Sequence, residues 1–282
     1  MFYYIIRDSL SSLGKFKDTL DTRMRRMVKY YNSDKYHGFK TVIVTLKSKR
    51  LMQYINHLGE FKDKVADLYT IQDIMFRVAK CIYKEYDPHV IYTFGNEIDV
   101  VFHYNDRGDF VYDGNIHKTL TSLASIASIE TYRLLRESGI NLDCYFTAHS
   151  IEFDVDYEPL NYLIWRQMDC RRNMVTLLYK CLHVDSVLDG KYDVENMKIK
   201  DMIGYLDNTR GIDVENDLRE ILTGNIVKKY MFQIKREESK FVSRRSVGVD
   251  HFYFSDNFKQ TWQRYITDKV YTTNTENTLS VD

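Results

Sequence analysis

Two carboxylates two residues apart, Glu97 and Asp99, follow a turn-prone Phe94-Gly95-Asn96 in the stretch Ile91-Tyr-Thr-Phe-Gly-Asn-Glu-Ile-Asp-Val-Val-Phe-His-Tyr104. Apolar residues enter the turn and β-branched and aromatic residues leave it. That pattern predicts two strands joined by a tight hairpin, with Gly95 and Asn96 supplying the backbone freedom. Alternation then puts both carboxylates on one face of the second strand. An unpaired carboxylate on a buried strand is costly. A divalent cation held by the pair and a solvated acidic turn are both compatible with this stretch. A second group with chemistry is Lys47-Ser48-Lys49-Arg50, whose ammonium and guanidinium groups suit phosphate oxygens.

The elements that must position these groups are legible from periodicity. Thr41-Val-Ile-Val-Thr-Leu46 is a continuous β-branched run, the pattern of a central strand covered on both sides, and it delivers the basic cluster at its end. Leu13, Phe16, Leu20, Met24, Met27, Val28 and Tyr31 recur at helical spacing, with a basic opposite face that is either solvated or an RNA surface. Helices are predicted over 71–86, stopped before Pro88, and over 116–135. The opening turns of the latter carry Lys118, Thr119, Thr121 and Ser122, where a phosphate would meet a helix N-terminus or where small residues allow close packing. Asp106-Arg-Gly-Asp109 and Asp113-Gly114 read as turns. Residues 142–153 alternate as another strand and 160–182 form a long helix. Further on, helices are predicted at 196–206 and 213–223, a strand or hairpin at 226–235, and a fraying tail from Thr272.

Composition excludes several classes. The 282 residues are 44% hydrophobic and 28% charged, enough for one large domain or two modest ones. Lys+Arg and Asp+Glu are both 40, so any nucleic-acid surface must be a local patch. Cys81, Cys144, Cys170 and Cys181 lack metal spacing, and no signal-peptide pattern or membrane-length apolar run is present. Reduced, mostly buried thiols in a cytoplasmic protein are therefore expected. No P-loop, Rossmann glycine pattern, zinc spacing or internal repeat is found, and His103 and His149 read as structural histidines. Arg244-Arg245 and Phe252-Tyr-Phe254 read as a surface loop and a satellite core, with RNA contact as the other reading. Strand-like segments alternating with long helices fit an α+β sheet of the palm type.

In order along residues 20–236, the chain resembles the tRNA-His guanylyltransferase family, and especially its tRNA 5′-end-repair branch of 3′–5′ polymerases. Leu20-Asp-Thr-Arg-Met24 is similar to the family's L-G-D-R-M, and Ile91–Phe102 lies without a gap on its Y-T-Q-S-D-E-I-S-L-V-F strand pair. Asp113-Gly114, Lys118 and Leu123-Ala124-Ser125 resemble F-D-G-R-V-x-K and a following L-A-S. The most specific block is Asn161-Tyr162-Leu-Ile-Trp165-Arg166-Gln167 with Asp169, Arg172 and Asn173, similar to N-Y-L-x-W-R-Q-x-D-x-x-R-N. Leu188-Asp-Gly190-Lys191 and Arg210-Gly211-Ile212 match two weaker marks.

The resemblance implies an antiparallel ferredoxin-like or polymerase-palm sheet with helices packed on one face, plus a mostly helical C-terminal part. Its expected divisions are an N-terminal helical segment (1–38), a palm (39–185) and an extension packed on it (186–282). It also implies tRNA or another RNA as partner, GTP or ATP with Mg²⁺ as cofactors, and a homo-oligomer, a tetramer in the family. By position, Glu97, Asn96 and Lys47 correspond to the catalytic set. Ser48, Lys49, Lys118 and Ser122 correspond to nucleotide or phosphate contacts, and Arg166, Asp169, Arg172 and Asn173 to RNA binding or scaffolding.

The departures fall on the chemistry. Two metal ions about 3.5–4 Å apart need carboxylates from two adjacent strands. The family's R-L-D-G-R-x-F strand is Thr45-Leu46-Lys47-Ser48-Lys49-Arg50-Leu51 here, with Lys47 in place of the aspartate. Its serine-aspartate-glutamate is Gly95-Asn96-Glu97, and its F-D-A-R is Phe146-Thr147-Ala148-His149. Glu97 alone stays in place, with Asp99 the candidate second metal ligand. Asp99 lies about 6.5 Å further along the strand and would reach a metal only through a bulge after Gly95. Lys47 paired with Glu97 would hold the pocket without metal. The expected function is therefore a 3′–5′ nucleotidyltransferase scaffold for tRNA 5′ ends with impaired two-metal catalysis. The other reading is a non-catalytic RNA-, nucleotide- or protein-binding pseudoenzyme that needs no cofactor.

Overall fold

In the computed structural model, the residues described are 19–30, 36, 40–104, 111–183, 194, 196–235, 241–257, 266, 268 and 270–272. In chain order they form α1 (Leu20–Tyr30), β1 (Thr41–Lys47), α2 (Lys49–Ile55), α3 (Phe61–Tyr86), β2 (Val90–Phe94) and β3 (Glu97–His103). A 3₁₀ turn (Val111–Gly114), α4 (Ile116–Glu137), β4 (Thr147–Phe153) and α5 (Glu158–Leu182) follow. The chain continues through α6 (Ile199–Arg210), α7 (Val214–Asp217), α8 (Arg219–Thr223), β5 (Asn225–Lys235), β6 (Phe241–Asp250), a 3₁₀ turn (Phe254–Asn257) and β7 (Tyr271–Thr272).

The strands make one sheet in the order β4-β1-β3-β2-β5-β6, with β7 alongside β5. The first four strands and their crossover helices α3 and α4 are the ferredoxin-like βαββαβ unit with its 4-1-3-2 order, as the fold class anticipated. β1 is central because every residue from Thr41 to Leu46 is buried, so both faces of the strand are covered. Its odd residues share a face with Glu97 and Asp99, since Lys47 pairs with Glu97 and Thr45 with Asp99. Thr93, on the opposite face, meets Asn225, which in turn bonds Gln72 of α3. The two crossover helices therefore lie behind the carboxylates, and α5 lies across the carboxylate face.

Several boundaries differ from the periodicity reading. α3 starts ten residues early because Lys64, Leu68 and Ile71 already point inward, although Asp63 and Asp67 dilute the apolar pattern. The strand expected from 142 begins at Thr147, the first residue with a partner on β1. The helix expected at 213–223 is two short ones, broken at Leu218, with Asp213 capping the first. The C-terminal part adds more than the expected helices: β5 and β6 pair over ten residues and β5 seats itself on β2. At that junction Gly224 has φ +71°, and a Cβ there would stand 2.6 Å from the Thr93 carbonyl. Residues 11–18 and 31 of the expected first helix, the expected turn at 106–109, the 188–191 mark and the tail beyond 272 lie outside the described residues.

Candidate active site

The hairpin places the carboxylates as its composition suggested. Gly95 adopts φ +51°, and the register runs without interruption from Phe94–Glu97 to Val90–Val101. No bulge re-aims Asp99, so it remains one strand repeat behind Glu97, fully buried.

Around Glu97 the structure gathers cations. The Lys47 Nζ lies 2.6 Å from Glu97 Oε1, and the Arg166 guanidinium binds Oε2. Arg166 also faces Asp99 Oδ2 at 3.5 Å and bonds Asp169 at 3.2 Å. Its planar group is flanked by the rings of Phe94 and Trp165, 5.0 and 5.1 Å from their centroids. Burial, and then the neighbouring Arg166, lower the Lys47 ammonium's pKa.

Beneath this layer, Thr45 Oγ1 donates to Asp99 Oδ1 at 2.5 Å and contacts the Tyr162 hydroxyl at 2.8 Å. With Thr45's single proton on ionised Asp99, the Tyr162 hydroxyl is the donor to Thr45. Burial pushes the Asp99 carboxyl up to about 7, against the Thr45 hydrogen bond and the Lys47 charge. A carboxyl whose folded pKa exceeds its unfolded value stabilises the fold most when protonated. Its contribution is complete below about pH 4 and is lost as the pH rises through 7. Asp99→Asn is therefore expected to flatten the stability profile between pH 4 and 8. Urea midpoints across that range check this, and an unchanged slope would sink it.

α5 supplies three consecutive side chains to three different neighbours, because successive helical residues point about 100° apart. Trp165 donates its indole N–H to Asp21 of α1 at 2.9 Å, so two blocks of the family resemblance that lie 144 residues apart meet here. Arg166 enters the carboxylate cluster. Gln167 donates to the carbonyls of Thr223 (3.0 Å) and Phe252 (2.8 Å) and accepts from the Phe254 N–H (2.9 Å). Those bonds fix Phe254, fully buried against Tyr92, so Phe254, with Phe252 packed on it, belongs to the main core rather than to a satellite. Gln167→Ala should cost about 1–3 kcal/mol by orphaning these groups. Faster amide exchange at 252–257 than elsewhere would confirm it, and uniform protection would refute it.

The remaining candidates are placed differently. Ser48 is fully buried, capping α2 by accepting from the Leu51 N–H, with its hydroxyl 3.1 Å from the Cys144 thiol. Asn96, also buried, donates to the Ser48 carbonyl at 2.8 Å. These two therefore clasp the hairpin to the start of α2, and neither presents its side chain to a phosphate. Lys49 and Arg50 are exposed beside Lys47. Lys118 and Ser122 lie on α4, behind the sheet from Glu97. The N-terminus of α4 is capped by Asn115, which accepts from the Lys118 N–H at 2.9 Å, and Ser122 lines a separate groove with Tyr86 and Tyr112. Arg172 is half-buried and Asn173 exposed further along α5. Thr45 and Tyr162 were missed as site residues. Period-two spacing from Lys47 and i, i+4 spacing from Arg166 would have found them.

The residues present do not fit a pair of divalent ions. Both Glu97 oxygens are taken by cations, and Asp99 is engaged by Thr45 and faced by Arg166. Asn96 is turned into the hairpin. Among the described residues no three His, Cys, Asp or Glu side chains are grouped to hold a metal ion. All four cysteines are free, three of them buried. No helix among the described residues is long and apolar enough to cross a membrane.

Neither a protein-family model nor a curated protein sequence matches the chain. Solved structures do. A bacterial tRNA(His) guanylyltransferase (Thg1)-like protein in complex with ATP superposes with TM-score 0.62 at 21% identity, covering 88% of this chain and 99% of that one. A bacterial Thg1-like protein in complex with GTP gives TM-score 0.58 at 20% identity, covering 87% and 98%. The tRNA(His) guanylyltransferase of Saccharomyces cerevisiae gives 0.55 at 13% identity, covering 75% and 92%. The chain thus has the palm-type fold of the tRNA(His) guanylyltransferase-like proteins.

Proposed function

We propose that this chain is a nucleotide- and RNA-end-binding relative of the tRNA(His) guanylyltransferase-like proteins in which ordinary two-metal transfer is lost. The observation that carries the reading is Lys47 on Glu97 at 2.6 Å, with Arg166 on the other oxygen. A fixed ammonium about 4 Å from a divalent ion's position opposes each metal charge by about 4 kcal/mol at an effective dielectric of 20. Nucleotide binding is supported by the ATP and GTP held by the bacterial neighbours. RNA binding is supported by the tRNA(His) in the names of the bacterial and yeast neighbours, and the choice of the 5′ end rests on the family resemblance of the sequence motifs. Residues 39–185 are the palm in this reading, with 1–38 an N-terminal helical segment and 186–282 an extension packed on it. A cytoplasmic homo-oligomer belongs to the same reading.

The second reading, an active transferase with a rearranged magnesium site, draws on Asp99 and Asp169, which both face Arg166. A 5′-end extension assay with labelled tRNA, nucleoside triphosphates and Mg²⁺ separates the two. The expected result is RNA retention without nucleotide addition. Addition that disappears in Glu97→Gln would establish the transferase instead.

A further inference from the structure

In the Glu97 cluster two cations, Arg166 and Lys47, stand against Glu97, Asp99 and the part-exposed Asp169, and three cations, Lys47, Lys49 and Arg50, are exposed at its edge or next to it in sequence. Glu97 and Arg166 have side chains only 5% and 7% exposed, whereas Lys47 is 51% exposed. Lys49 and Arg50 stand exposed two and three residues on. An ammonium has three donors, and Glu97 Oε1 takes one of those on Lys47, so the group presents donors outward as well as inward. In a two-metal palm, a cation with one side on a carboxylate and the other on phosphate oxygens is a metal ion. Here that cation is covalently part of β1.

We propose that this pocket binds the triphosphate of a nucleotide in its metal-free form, with the Lys47 ammonium bridging Glu97 and the phosphate chain. Lys49 and Arg50 take the outer phosphate oxygens, Arg50 as a two-pronged donor. The proposal rests on the nucleotide-binding reading above. Magnesium removes two negative charges from the triphosphate, so it weakens the attraction of three protein cations instead of mediating contact.

The test is calorimetric titration of ATP and of GTP into the full chain, once in EDTA and once in excess Mg²⁺. Binding in EDTA should be at least about threefold tighter, and Lys47→Met should weaken it about tenfold there, the loss expected for a hydrogen bond to a charged group. Binding that requires magnesium overturns the metal-free proposal and leaves the nucleotide-binding reading standing. No binding in either buffer overturns that reading and the proposal with it. Should Lys47→Met lose its fold by circular dichroism, Lys49→Gln combined with Arg50→Gln decides the matter. An unchanged affinity in EDTA for that pair overturns the proposal.

Discussion

Lys47→Asp combined with Asn96→Asp is expected to gain saturable Mg²⁺ and Mn²⁺ binding, with none expected for the wild-type chain. The first change removes the cation from Glu97 and the second places a carboxylate at the hairpin turn. Together they shift the local formal charge by three units, two from Lys47 and one from Asn96. Asn96 is fully buried and donates to the Ser48 carbonyl, so a carboxylate there meets an acceptor and is costly until a metal compensates it. The double variant should therefore melt below wild type in EDTA and recover with Mg²⁺, while the wild-type melting temperature ignores the ion. A folded double variant whose melting is indifferent to Mg²⁺ and Mn²⁺ would show that Arg166, not Lys47, keeps metals out.

Arg166→Ala should cause the largest stability loss of any single change at the site, about 3–5 kcal/mol, because it strands buried partners. Its guanidinium is 7% exposed and serves Glu97, Asp99 and Asp169 from the middle of α5. Glu97 and Asp99 are 5% and 0% exposed, so water cannot replace it without opening the helix from the sheet. Lys47→Ala is the contrasting case. It too contacts Glu97, but it is half exposed, and screening leaves such a pair about 0–1 kcal/mol. Denaturant midpoints of the two variants test the ranking. A milder loss for Arg166→Ala would mean that Lys47 carries the burden of neutralising Glu97. Adding Glu97→Gln to Arg166→Ala should recover part of the loss, since the stranded charge goes with the partner that held it.

The parts of this site that a linear reading recovers are those set by local geometry. Gly95-Asn96 between apolar runs is enough to fix the hairpin, and period-two alternation is enough to put Glu97 and Asp99 on one face. The unbroken β-branched run at 41–46 identifies the strand buried on both sides. Arg166 was marked only through the resemblance of its motif. Its contact with Glu97 spans 69 residues, and no spacing rule encodes a pairing made by the way a helix lies across a sheet. Ser48 read as a phosphate contact through its position in the resemblance, yet its hydroxyl is used as a helix cap, the commoner role for serine before a helical turn. β6 was not anticipated. Phe241-Val-Ser-Arg-Arg-Ser-Val-Gly-Val-Asp250 lacks a clean alternation, and only its ten-residue pairing with β5 makes it a strand.

The seat of β5 on β2 bears on self-association. In the 4-1-3-2 unit taken alone, β2 would be an outer strand, and its five residues are apolar or uncharged and buried throughout. Here Asn225, Ile226 and Val227 pair with Thr93, Tyr92 and Ile91 and occupy that rim. A chain cut before residue 225 would present Val90-Ile-Tyr-Thr-Phe94 as an unprotected template for another copy, with no proline or charge to discourage pairing. The late part of the chain thus acts as a built-in guard against polymerisation of the early part, and truncated forms should precipitate as β-rich aggregates.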